Sequence, residues 1–238
     1  PSMTQITPTK AFLQGLRRSL PFILVVVPFA TLFGVVATEA GLDLIQTMGF
    51  TALVIAGAAQ FASLQMMQDQ APILMVLLAG LAVNMRMAMY SASLVPYLGK
   101  APLWQRALAA YILFDQSYAV SLDRFEQEPD LTIPARIAFF FGVAIPISIL
   151  WCGTTAVGAL VGSAIPSSMG LDFALPITFI ALIGPMLKSL PHVVAAVVSV
   201  VGALALGWMP SGVGLLVAAS LAMLTGALVE DWSSRWVR

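Results

Sequence analysis

Leu77-Leu78-Ala79-Gly80-Leu81-Ala82-Val83-Asn84-Met85-Arg86-Met87-Ala88-Met89-Tyr90-Ser91-Ala92 decides how the chain must be read. The stretch is mostly apolar and carries a single charge, the Arg86 guanidinium, and no acid lies nearer than Asp69. A charge in hydrocarbon costs several kcal/mol even on the lowest scales. A chain keeps such a residue where it faces a wet cavity, pairs with a polar group or snorkels to an interface. In a membrane segment the first hypothesis is function.

Working outward, the composition places the chain in a membrane. Sixty percent of its residues are hydrophobic, only 9% are charged, and the mean hydropathy is +0.95, outside the range of soluble domains. The 11 basic and 11 acidic residues are clustered, leaving 19–38, 44–68, 137–171 and 189–229 free of them, with His192 the sole titratable interruption of the last. A helix crosses a bilayer in about 20 residues. Backbone groups in lipid must be satisfied internally, and these runs lack the alternation of barrel strands. The fold class is therefore all-α, a polytopic membrane protein of seven to eight transmembrane helices, some of them broken. Net charge is zero, which gives no reason to expect a nucleic-acid partner. Pro1-Ser2 ahead of Met3 reads as a protease-site scar, and the first apolar run is too long for a removable signal peptide.

Turn residues bound the spans at roughly 17–38, 45–67, 72–95, 105–122, 136–161, 172–188, 191–208 and 212–230. The chain reads as one transmembrane domain, 1–238, with a charged loop at 123–133 between candidate repeat halves 15–122 and 134–230. Arg17…Pro21…Pro28…Gly34 is faintly matched by Arg136…Pro146…Gly153, and Ala52–Ala59 by 179–186. Duplicated halves with interrupted helices are a mark of secondary transporters. Lys10, Arg17 and Arg18 put the N-terminus in the cytoplasm. Lys100 and Arg106 then fall outside if every segment crosses. Either the charge bias fails there or a preceding segment does not fully cross.

Asp115 is the second charge in an apolar setting. On a continuous helix Tyr111, Asp115 and Tyr118 share a face with it, so Asp115 could carry a proton, bind an ammonium or pair statically with Arg86. Tyr90, one turn beyond Arg86, shares its face, whereas Asn84 lies about 200° away at 3.6 residues per turn. Asn84 and Arg86 line one cavity only if the helix unwinds between them. Arg86 is open to two roles, binding a carboxylate or positioning Asp115. Gly57-Ala-Ala-Gln60 puts small residues and an amide at mid-membrane, either for close helix packing or as a break whose backbone binds a zwitterion. Gly184-Pro185 is the corresponding place in the second half. No Walker A loop, His-Glu-x-x-His, Gly-x-Gly-Asp or cysteine–histidine cluster occurs, and there is one histidine. No enzymatic activity, metal or cofactor is expected.

Pro28-Phe-Ala-Thr-Leu-Phe33-Gly34, Gly57-Ala-Ala-Gln60-Phe61-Ala, Asn84-Met-Arg86-Met-Ala-Met-Tyr90-Ser91-Ala92 and Asp115-Gln116 resemble the AzlC family, large subunits of bacterial branched-chain amino acid exporters. The resemblance runs over about 10–230. It implies a secondary transporter of the bacterial inner membrane exporting valine, leucine and isoleucine, with methionine, together with a small AzlD-type membrane subunit. Gln60, Asn84, Arg86, Tyr90, Gly57 and Gly184 are the expected substrate-binding residues, and Asp115 with Arg86 the proton-coupling or ion-pair residues. The alternative is a channel-like or scaffold subunit whose partner forms the path. At Gln116 the family commonly carries Glu, so any coupling here falls on Asp115 or another route.

Overall fold

The computed structural model describes residues 6–162, 187, 189–209 and 213–236, and every regular element among them is helical. The span expected over 172–188, with Gly184, lies outside the described residues apart from Leu187. The helices are α1 (Pro8–Ser19), α2 (Ile23–Glu39), α3 (Leu44–Leu53), α4 (Gly57–Gln68), α5 (Ile73–Leu98), α6 (Leu103–Tyr111), α7 (Asp115–Gln127), α8 (Ile133–Gly162), α9 (Leu190–Ala205) and α10 (Val213–Trp236). Among the described residues, four stretches are long and apolar enough to cross a bilayer: Pro8–Glu39, Ile73–Leu98, Ile133–Gly162 and Val213–Ser233. Contacts divide the chain into two compact units. One holds the described residues up to Phe61 and from Gly80 to Gly162; the other holds Ala62–Ala79 and those from Leu187 on.

In the first unit α1 and α2 lie along α8 at backbone contact. A Cβ at Gly15 would fall 2.3 Å from the Phe139 carbonyl oxygen, and one at Gly142 2.2 Å from that of Phe12. Further along, a Cβ at Gly34 would fall 2.1 Å from the Thr155 carbonyl oxygen, and one at Gly158 2.0 Å from that of Thr31. Phe-x-x-Gly thus meets Phe-x-x-Gly, and Thr-x-x-Gly meets Thr-x-x-Gly. Small residues permit this approach where no hydrophobic force drives helices together in lipid. Early residues meet early ones and late meet late, so α1–α2 and α8 run parallel. Between Gly142 and Gly158 α8 buries Val143, Ala144, Ile147, Trp151 and Thr155.

The stretches read as straight spans over 45–67 and 105–122 are instead two helical hairpins. Gln60 Nε2 donates to Thr51 Oγ1 at 3.0 Å. The Phe33 ring packs edge-on against both Phe50 and Phe61, at centroid distances of 5.9 and 5.3 Å. Residues on either side of Val54–Ala56 are therefore level, and α4 starts back the way α3 came. The second hairpin is read from α5 and α7, which run parallel: Tyr90 meets Asp115, Ser93 meets Tyr118, and Tyr97 lies 5.6 Å from the Phe125 ring. The chain leaves α5 at Leu98 and is back beside Tyr97 by Phe125. The 9-residue α6 and 13-residue α7 are joined by the buried turn Ile112-Leu113-Phe114.

The hairpins enter from opposite ends. The first follows the close of α2 and is started by an Asp43–Gln46 capping box. The second follows Tyr97, whose carbonyl accepts from Arg136 Nη1 near the start of α8, at 3.4 Å. Their turns meet where the Tyr111 hydroxyl donates to the Ala52 carbonyl. That carbonyl belongs to the last turn of α3 and has no donor within its helix. At membrane depth such a group must find a partner in the protein.

This topology puts Lys100 and Arg106 at the end where α1 begins. Tyr97 meets Arg136 near the start of α8, and α8 runs parallel to α1–α2, so α5 finishes at the end where α1 begins. Because α6–α7 also turns back, Arg124 reaches the same end: its Nη2 donates to Gln14 Oε1 at 3.0 Å, and Asp123 lies 3.9 Å from Arg18. Of the two alternatives, the hairpins match a preceding segment that does not fully cross.

In the second unit α9 and α10 form an antiparallel pair. A Cβ at Gly202 would sit 3.0 Å from that of Ala218, and one at Gly226 3.1 Å from that of Ala195. His192 stands at the start of α9, its Nδ1 3.0 Å from Ser189 Oγ.

Candidate functional site

Arg86 stands near the middle of the 26-residue α5, about 20 Å from either end at 1.5 Å per residue. The helix is continuous there. Asn84 therefore projects from a different face, and the structure does not bring Asn84 and Arg86 together. Asn84 Oδ1 is buried without a partner.

Asp115 is the first residue of α7, at the turn of the second hairpin. A carboxylate there faces backbone N–H groups that have no intrahelical acceptor, together with the positive end of the helix dipole. Phe114, the residue before it, has no side-chain acceptor to cap them. Ser117 Oγ turns inward instead, accepting from the Phe114 N–H at 3.0 Å. The break also removes Tyr111 from the stripe expected for a continuous helix. Tyr111 ends α6 and reaches Ala52, whereas Tyr118 stays beside Asp115.

Both oxygens of Asp115 are engaged. Arg86 Nη1 lies 2.9 Å from Oδ2, and the Tyr90 hydroxyl donates to Oδ1 at 2.9 Å. Tyr90 is fixed by Tyr118, whose ring stacks on it at 4.1 Å and 8°, and the Tyr118 hydroxyl donates to Ser93 Oγ at 3.1 Å. Arg86 Nε is buried and has no acceptor among the described residues. In charge, Arg86 is complementary to a carboxylate and Asp115 to an ammonium.

Gln60 and Gly57 belong to the other hairpin. Gln60 is fully buried; its amide nitrogen holds Thr51, and its Oε1 has no partner. Gly57 faces aromatic rings, because a Cβ there would lie 2.6 Å from the Trp151 ring and 2.7 Å from that of Phe29. Phe29 in turn stacks on Phe61 at 4.9 Å. Gly57→Ala is expected to destabilise the protein by about 1–3 kcal/mol through overpacking, read as a lower thermal midpoint of the purified protein. An unchanged midpoint would show that the rings have room to move.

The family model for the AzlC protein matches residues 21–165, which include both hairpins, Arg86 and Asp115. The chain belongs to the AzlC family. An Archaeoglobus fulgidus protein described as an uncharacterized membrane protein is 29% identical over 235 residues, covering 97% of this AzlC chain and 99% of its own. The Escherichia coli K12 inner membrane protein YgaZ is 26% identical over 181 residues, covering 72% and 71%. A Helicobacter pylori relative, also described as an uncharacterized membrane protein, is 25% identical over 174 residues, covering 73% and 74%. No solved structure matches. This AzlC protein is thus an all-α membrane protein whose matched region holds the two re-entrant hairpins.

Proposed function

We propose that this AzlC protein is a secondary exporter of branched-chain amino acids, with methionine, in the bacterial inner membrane. It acts with a small AzlD-type subunit and is driven by an ion gradient. The observation that carries the reading is the Arg86–Asp115–Tyr90 cluster, held at the middle of a spanning helix by the turn of a re-entrant hairpin. Irregular backbone and half-helix ends at membrane depth belong to substrate sites in transporters. Arg86 and Asp115 are complementary to the two ends of a zwitterion and occupy each other in its absence. Aliphatic walls discriminate poorly between side chains that differ by a methylene, worth only ~1–3 kcal/mol. One site would therefore serve valine, leucine and isoleucine alike. A cytoplasmic N-terminus is supported by the gathering of basic residues at the end where α1 begins.

The test is counterflow of labelled leucine in proteoliposomes containing the protein and its small subunit. Saturable exchange is expected, inhibited by unlabelled valine and isoleucine. Tyr90→Phe removes the hydroxyl from Asp115 and keeps the ring stack. It should lower the exchange rate about tenfold, since a hydrogen bond to a charged group is worth about 1.5–3 kcal/mol. Flux that neither saturates nor counterflows would sink the carrier and favour the channel or scaffold reading.

A further inference from the structure

We infer that a cleft between α5 and α6 is a binding site for an anionic phospholipid. The cleft has a volume of about 380 Å³ and lies wholly within the first unit. Leu94 and Leu98 of α5, Ala107 and Ala110 of α6, Leu113 of the hairpin turn and Phe140 of α8 line it. Arg106 stands at its mouth beside Gly99.

Three features select the ligand. The lining contains no carboxylate, so the ammonium of an amino acid has no counter-charge there, and the cleft is not a second copy of the Arg86–Asp115 site. The walls are aliphatic, which suits an acyl chain. Arg106 donates to the Gly99 carbonyl at 3.2 Å and has no acid within 4 Å among the described residues. Three other arginines of this end are engaged: Arg18 and Arg124 pair with Asp123 and Glu128, and Arg136 lies over the Tyr97 and Phe125 rings.

The depth fits as well. Trp104, the second residue of α6, is 65% exposed, and exposed Lys100 precedes that helix. Tryptophan with basic residues marks the headgroup level of a bilayer, and basic pockets between transmembrane helices take anionic headgroups. The lipid phosphate would meet Arg106 while one chain runs inward along α5 to Leu113. The cleft ends two residues short of Asp115. A lipid seated there would brace the second hairpin against α5.

The test is native mass spectrometry of the purified protein in mild detergent, offered equal phosphatidylglycerol and phosphatidylcholine of the same chain length. The wild type is expected to retain phosphatidylglycerol about fivefold over phosphatidylcholine, the ratio corresponding to ~1 kcal/mol per basic residue at a membrane surface. Arg106→Gln should bring that ratio to parity. Ala110→Phe fills the cleft, leaves every charge in place, and should lose bound lipid of both kinds. Glycerol phosphate should not displace the lipid, because it lacks the chain; displacement would point to a headgroup site for small phosphates and overturn the inference. Equal retention of the two lipids by the wild type, or an unchanged preference in Arg106→Gln, would also overturn it. Size-exclusion profiles of the variants check that each is folded.

Discussion

Asp115→Ala is expected to be the most damaging single change at the site, Arg86→Ala the next, and the double change the mildest for folding. The order follows from what each leaves behind. Without Asp115, the Arg86 guanidinium keeps its charge at the middle of α5 and loses the acid that its Nη1 holds at 2.9 Å. Its Nε has no acceptor to begin with. Without Arg86, Asp115 still accepts from Tyr90 and still lies at the start of α7, where the helix dipole favours an anion. Removing both leaves no charge to desolvate. Losing one partner of a fully buried pair costs about 3–5 kcal/mol, mostly from the charge left behind. These side chains are 29% and 43% exposed, so the loss should be smaller, about 1–3 kcal/mol for the single changes. Thermal midpoints and monodisperse yields read this order directly. Leucine counterflow should be lost in all three variants, because each lacks a binding partner for one end of the zwitterion. If the double variant were no more stable than Asp115→Ala, the two charges would not be coupled in the fold. Arg86 would then be held for substrate alone.

The parts of this architecture that the sequence made legible are those set by hydrophobicity over long distances. The runs containing α2, α5 and α8 are free of charge, or nearly so, over a bilayer's thickness, and no soluble alternative can bury them. Arg86 and Asp115 also stood out, because a charge in such a setting has few places to go. The hairpins were harder to see. The turn Ile112-Leu113-Phe114 contains neither glycine nor proline, and its residues are buried like any core residue. A buried turn and a buried helical segment have the same hydrophobic signature. What ends α6 there is tertiary: Tyr111 bonds across to Ala52, and Ser117 takes the N–H of Phe114. In the first hairpin Gly57 did mark the place, but the turn itself precedes it, at Val54–Ala56. The one local hint was the conflict over Lys100 and Arg106, since basic residues on the wrong side of a straight-span reading are the cost of counting a hairpin as a crossing. Ser93 and Thr51 carried no signal of their own, because a lone hydroxyl in an apolar helix ordinarily returns to its own backbone.

Gly158→Leu is expected to abolish folded protein, whereas Gly153→Leu, five residues earlier on the same helix, should leave it intact. A Cβ at Gly158 would lie 2.0 Å from the Thr31 carbonyl oxygen and 2.8 Å from its carbon, whereas nothing lies within 4 Å of one at Gly153. Backbone atoms cannot rotate aside as a side chain can, so α2 and α8 would have to separate. Separation also pulls apart Gly34 and Thr155, which meet at 2.1 Å in the same sense, and breaks the bond from Thr38 Oγ1 to the Ala159 carbonyl at 3.2 Å. Overpacking a core ordinarily costs about 1–3 kcal/mol; here the clash is with main chain on both sides of a reciprocal contact, so the cost should exceed that range. Gly153→Leu gains helix propensity, up to about 1 kcal/mol, and places its side chain in open space. Expression followed by size-exclusion chromatography separates the two. The contrast bears on the site, because the parallel contact of α2 with α8 sets the level of Phe29, Phe33 and Trp151. Those rings seat Gly57, Phe50 and Phe61 of the first hairpin. That hairpin in turn offers Ala52 to Tyr111, the residue at the turn that carries Asp115. A folded Gly158→Leu protein would mean that the helices can part without losing the level of the hairpins, and the position of Asp115 opposite Arg86 would then need another support.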